Sequence, residues 1–151
     1  MNAAYLHLAG THLPVVGTLF GLGLFVYGLL RRSEELRRTG LLVFLVTALL
    51  AVPAYRTGAP AVSLLKRAAP GLPPDPTEQH AEVAILALTG ALILGVVSLM
   101  GLLCFRKGKP LSFPFLALVL LLAVVSSGLM TWTATLGGRI RHPEIRNNGT
   151  P

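Results

Sequence analysis

The chain is predicted to be an all-α protein, a four-helix transmembrane up-and-down bundle with both termini outside. Three observations predict it. Over 151 residues the hydrophobic content is 53% and the charged content 13%, whereas an ordinary soluble domain carries roughly 25% charged residues. The mean hydropathy is +0.69. The apolar residues gather into four long blocks, at about residues 13–30, 40–55, 83–105 and 111–136. A large soluble enzyme is excluded, and little chain is left for a separate catalytic lobe. Thirteen Lys and Arg against six Asp and Glu could point to nucleic acid, but the basic residues stand at the ends of apolar blocks and not on one face, which makes them topology signals.

Block one, Leu13 to Leu30, has no charge and is just long enough for the hydrocarbon layer at 1.5 Å per residue. Arg31 and Arg32 follow it, the reverse of the order in a cleaved signal peptide, so the span is expected to be retained. Block two, Gly40 to Tyr55, is the shortest and contains Pro53. Residues Arg31 to Thr39 before it, with Glu34 and Glu35 one turn ahead of Arg38, can form an amphipathic lead-in helix on the membrane surface. Block three, Val83 to Phe105, has a helix start in Asp75-Pro76-Thr77-Glu78, a capping box with Asp as N-cap. Block four, Leu111 to Leu136, ends at Gly137-Gly138, which reads as a helix stop. Between them an outer loop, residues 56–79, has a short surface helix predicted around Ala61 to Ala69.

The short loops set the orientation. Arg31, Arg32, Arg37 and Arg38 lie between blocks one and two, and Arg106, Lys107 and Lys109 between three and four, so both loops are placed in the cytoplasm. The expected location is the bacterial inner membrane. Each half of the chain also reads alike, as a histidine, a span, a basic turn, a returning span and a glycine: His12 to Gly58, then His80 to Gly138. This suggests paired hairpins.

No catalytic triad, phosphate-binding Gly loop or intramembrane carboxylate pair is found. Cys104 is the sole cysteine, which removes disulfides and thiolate cages within one chain. The histidines stand out instead. His7, His12, His80 and His142 all map to the outer, periplasmic side, and an imidazole next to an uncharged span needs a partner. In a four-helix up-and-down bundle the first and third spans are diagonal, so His12 and His80 can face each other at similar depth and hold a haem iron from both sides. Ala84, Ala87 and Ala91 continue the His80 face as a small-residue wall, against Val16, Leu19 and Gly23 below His12; close helix packing is the competing account of the alanines. His7 and His12 are five residues apart, roughly 140° round a helix, and cannot both reach one metal. His142 can reach back over the bundle. Arg139 and Arg141 suit haem propionates or lipid phosphates. Glu82 is on the opposite side of its helix from His80.

These segments resemble a group of uncharacterised four-span bacterial membrane proteins. His7-Leu-Ala-Gly-Thr-His12-Leu-Pro14 is similar to their His-x4-His-(Leu/Phe)-Pro opening. Pro53-Ala-Tyr-Arg-Thr-Gly58, Glu78-Gln-His80-Ala-Glu82 and Gly137-Gly138-Arg-Ile-Arg-His142-Pro-Glu144 carry the likeness over the rest of the chain. It implies a set of outer-face histidines in a bundle similar to small membrane b-type cytochromes.

Three functions are expected in turn. The first is an electron-transfer subunit with haem b on His12 and His80, and with His7, His142, Arg139 and Arg141 around the cofactor. Its partners would be the lipid bilayer, other subunits of a membrane redox complex or a periplasmic electron carrier, without nucleic acid. The second is a non-catalytic accessory subunit. The third is a histidine-ligated copper or zinc protein, since imidazole suits both metals. A transporter ranks lower, for want of a broken helix or mid-membrane charge.

Overall fold

The computed structural model describes residues 3–68, 75–104 and 110–141. Among these there are five helices and no strand: α1 (Ala3–Leu30), α2 (Glu34–Arg56), α3 (Gly58–Ala68), α4 (Asp75–Cys104) and α5 (Phe113–Arg141). Four helices are long and apolar enough to cross a membrane, and they form an up-and-down bundle.

The helices outrun the apolar blocks. α1 begins at Ala3 and runs through Pro14, so His7 and His12 share one continuous helix. α2 begins at Glu34, capped by Ser33, whose Oγ accepts from Leu36 N at 3.3 Å. The lead-in segment is therefore the first turns of α2 and not a separate surface helix. The predicted helix of the outer loop is α3, which starts at Gly58 and has its main contact with α1. α4 starts at the predicted Asp75, whose side chain lies outside the described set. Gly137-Gly138 does not stop α5, which continues to Arg141. A stop glycine works by taking a left-handed backbone, and a helical glycine in a packed seam has a different use.

The turn between α1 and α2 closes tightly. Arg32 takes φ 53°, Ser33 N donates to Gly28 O at 3.0 Å and Arg32 N to Leu29 O at 3.2 Å. This is the Schellman pattern that satisfies the last carbonyls of a helix. Arg37 adds to it, donating from Nε to Gly28 O at 3.2 Å and pairing through Nη1 with Glu34 at 2.9 Å. Glu34 Oε2 in turn accepts from Leu111 N at 3.3 Å, tying this turn to the start of α5.

α1 packs on α2 and α5, and α4 on the same two, so α1 and α4 lie on a diagonal. The bundle interior holds Phe25, Leu41, Phe44, Leu94, Leu116, Val119 and Ala123 toward the arginine-rich end. Ala51, Ala87, Ala91 and Met130 fill it toward the other. Large side chains such as Val16, Phe20, Leu49, Leu86 and Leu121 point outward, as expected where the outer solvent is hydrocarbon.

The α1–α2 hairpin and the α4–α5 hairpin are structural repeats. Pro14, Thr18, Gly21, Phe25 and Gly28 are the buried positions of α1 from Pro14 to Gly28. Shifted by the interval that separates His7 from His80, they fall on Ala87, Ala91, Leu94, Ser98 and Gly101, all buried. Gly40, Phe44, Thr47, Ala48 and Ala51 of α2, shifted by the interval from Gly58 to Gly137, fall on Val119, Ala123, Ser126, Ser127 and Met130, again all buried. Close contacts repeat too. A Cβ at Gly17 would meet the Thr47 hydroxyl, and one at Gly90 would meet Ser126 Oγ at 3.2 Å. The repeats run in the same sense, so their pseudo-two-fold axis follows the bundle axis.

The hairpins are joined where backbones come close. A Cβ at Gly95 of α4 would lie 2.5 Å from Ala48 Cβ of α2, so a larger residue has to push the helices apart. Overpacking of this kind destabilises by about 1–3 kcal/mol. Gly95→Val is expected to lower the midpoint of thermal unfolding in detergent, whereas Gly23→Ala, at an exposed position with open space around it, leaves it unchanged or slightly raised.

Candidate functional site

The structure brings two of the predicted histidines together, His7 and His80. Their ring centroids are 6.4 Å apart, with planes at 86°. They come from the diagonal helices α1 and α4, at the end of the bundle where α1 begins and α5 finishes. The pairing differs from the expected His12–His80 pair. Because α1 is helical through both residues, His7 and His12 point in different directions, and it is His12 that is exposed. His7 and His80 are half-buried.

Each ring is held by a main-chain carbonyl of the other helix of its own hairpin. His7 Nδ1 is 3.0 Å from Ala54 O and 3.2 Å from Thr57 Oγ1 on the last turn of α2. His80 Nδ1 is 3.1 Å from Thr133 O on α5. A carbonyl oxygen can only accept, so Nδ1 carries the proton in both rings. In the neutral form Nε2 then has a free lone pair, which is the tautomer that a metal-binding imidazole needs.

The surroundings follow the repeat. Four residues beyond each accepting carbonyl stands a glycine next to the ring. A Cβ at Gly58 would lie 3.4 Å from His7 Cε1, and one at Gly137 would lie 3.2 Å from His80 Cε1. Gly58 and Gly137 are thus the two members of a matched pair, in place of the predicted Gly58 and Gly138, and His7 is the partner of His80 in the repeat, in place of His12. The two half-sites are not identical. Ala54 is in the final turn of α2, where its carbonyl also accepts from Thr57 Oγ1 at 2.8 Å, whereas Thr133 is well inside α5.

The expected small-residue wall serves packing. Ala87 and Ala91 are buried in one cluster with Ala51 and Met130, about two turns inward of His80, and Ala84 is half-buried. Arg139 is exposed at the same end. Arg141 is the last residue of α5, its side chain outside the described set, and His142 lies outside the described residues. Glu78 and Glu82 are exposed. Among the described residues no group of three or more His, Cys, Asp and Glu is arranged to hold a metal, so side-chain donors of these types number two at this site. Thr57, Gly58, Thr133 and Gly137 are the site residues that sequence reasoning missed. Their signal was the shared four-residue step from carbonyl to glycine, which is recognisable only once the hairpins are aligned.

Comparison of the chain with protein-family models, with curated proteins and with solved structures finds no match.

The contact at Gly137 gives a direct test of the geometry. Gly137→Ala is expected to displace the His80 ring by a few tenths of an ångström and to shift its imidazole 15N resonances. Gly138→Ala, where a Cβ meets open space, leaves those resonances in place.

Proposed function

We propose that this chain is a membrane electron-transfer subunit that holds one redox-active metal between His7 and His80, at the periplasmic rim of a bundle in the bacterial inner membrane. The observation that carries the proposal is the pair of imidazoles on diagonal helices, each with Nδ1–H engaged by a carbonyl and Nε2 left with a lone pair, at a centroid separation of 6.4 Å. Two imidazoles bound through Nε2 on opposite sides of one metal, at metal–nitrogen lengths of about 2.0 Å, have centroids roughly 6 Å apart. The arginines of the two short loops support the periplasmic assignment.

The donor set suits haem b, which His7 and His80 would hold. When bound, that group supplies reversible one-electron chemistry. The chain's own residues would do the rest: His7 and His80 ligate, Ala54 O, Thr57 Oγ1 and Thr133 O hold the ring orientation and tautomer, and Arg139 with Arg141 can pair with anionic substituents at the rim. A redox complex or a soluble periplasmic carrier would be the electron partner.

A second reading, an accessory subunit without a cofactor, is favoured by one observation: the bond from His7 falls on a carbonyl in the last turn of α2, as a side chain that ties a helix end does. The two readings differ in what they ask of Nε2. Metal analysis and absorption spectra of protein purified from its own membranes are expected to show one metal per chain, lost in His7→Ala and His80→Ala and retained in His12→Ala. Metal content unaffected by either substitution contradicts the proposal, and metal-free wild-type protein supports the accessory reading.

A further inference from the structure

The same site also indicates which kind of metal fits it. We propose that His7 and His80 form a two-coordinate site for a monovalent coinage-metal ion, Cu(I) in the cell; this rests on the metal-centre reading above and narrows it. Three observations point the same way.

The first is donor number. Structural Zn²⁺ takes four ligands and catalytic Zn²⁺ three from the protein, and Cu(II) favours four in a tetragonal array. Among the described residues the site offers two imidazoles and no third His, Cys, Asp or Glu. A d10 monovalent ion accepts two nitrogen donors in a linear arrangement.

The second is symmetry. His7 and His80 are equivalent members of the structural repeat and approach each other across its pseudo-two-fold axis from diagonal helices. An ion bound through both Nε2 atoms would have two like donors. The carbonyl bonds keep both rings in the Nδ1–H tautomer, so both present a neutral Nε2 without the loss of a proton.

The third is space. Inward of the rings the interior is occupied by the packed Ala51, Ala87, Ala91 and Met130 cluster. A bare ion between the two rings leaves that layer, about two turns further in, undisturbed. The 6.4 Å centroid separation is close to the roughly 6 Å expected for two imidazoles on one ion.

The test uses the full chain in detergent under anaerobic conditions. Cu(I) is titrated in competition with a chromophoric chelator, Ag(I) serves as a redox-inert analogue, and Zn²⁺ is the contrasting ion. One Cu(I) or Ag(I) per chain is expected, with two nitrogen neighbours by X-ray absorption and with Zn²⁺ bound far more weakly. His7→Asn and His80→Asn keep a side-chain N–H near the position of Nδ1 and remove Nε2; each is expected to weaken Cu(I) by about 100-fold while thermal unfolding stays near that of the wild type. His12→Asn leaves binding unchanged. Tighter Zn²⁺ than Cu(I), or Cu(I) affinity intact in both His7→Asn and His80→Asn, overturns the proposal. A purified protein with a Soret band that depends on His7 and His80 also overturns it while leaving the metal-centre reading standing; absence of binding by any of the three ions and of any native metal removes both.

Discussion

Each hairpin of the bundle is closed at its histidine end by one kind of bond, an imidazole N–H given to a main-chain carbonyl of the neighbouring helix. In a bilayer an unsatisfied polar group costs several kcal/mol, so a histidine in such a place is tolerated only with a partner. The partner determines the rest. By engaging Nδ1, the carbonyls of Ala54 and Thr133 set the tautomer, the direction of each ring and the atom left for any further interaction. One turn further on a glycine stands beside each ring, with close packing at Gly137, where a Cβ would lie 3.2 Å from His80 Cε1, and ordinary contact at Gly58, where it would lie 3.4 Å from His7 Cε1. Tie, tautomer and steric allowance form a unit, and that unit occurs twice.

The repeat explains why the interior is built from unequal parts. Where the first hairpin has Phe25 and Phe44, whose rings lie 6.1 Å apart, the second has Ser98 and Ala123. Where the first has Ala51, the second has Met130. Bulk is distributed unequally between the hairpins, while the register of buried positions is the same in both. The two hairpins share a burial register that differently sized side chains fill. The exception is at the arginine-rich end, where Glu34 accepts from Leu111 N and has Phe113 as its counterpart in the repeat. One hairpin holds the other there through a carboxylate that has no equivalent in the second half.

Legibility in the sequence follows the same division. The four spans were readable because hydropathy is a property summed over many residues, and the short α3 because Ala61 to Ala69 lies between clusters of proline and glycine. Helix ends were read less well. α1 starts ten residues before its uncharged block, since Ala3 to His12 is compatible with helix but not with hydrophobic burial. Gly137-Gly138 had the composition of a stop and the role of a packing seam, because a glycine can serve a left-handed turn or a close approach and its letter does not distinguish them. The histidine end was recognised, and His80 within it, but the partner was taken to be His12. That choice rested on depth relative to an uncharged span. The structure selects by helical phase: with α1 continuous through Pro14, His7 is on the face toward α2 and α4, and His12 is turned outward. Periodicity in an all-round apolar helix carries little phase information, so the distinction was not available from the pattern of side chains alone.

The duplicated tie has a consequence for what the rim can bind. A site assembled from unrelated loops can present donors of several chemical types at arbitrary angles. A site on a pseudo-two-fold axis presents the same donor twice, and anything recruited from off the axis has to come from a segment that breaks the repeat. In this chain the segments that do so at the histidine end are α3, which begins at Gly58, and the last turn of α5 with Arg139, which follows Gly137. Their residues are the places where the halves can differ in function without disturbing either imidazole–carbonyl bond. A group bound by the shared pair would therefore meet the same donor from each half, whereas the unshared flanks are free to differ.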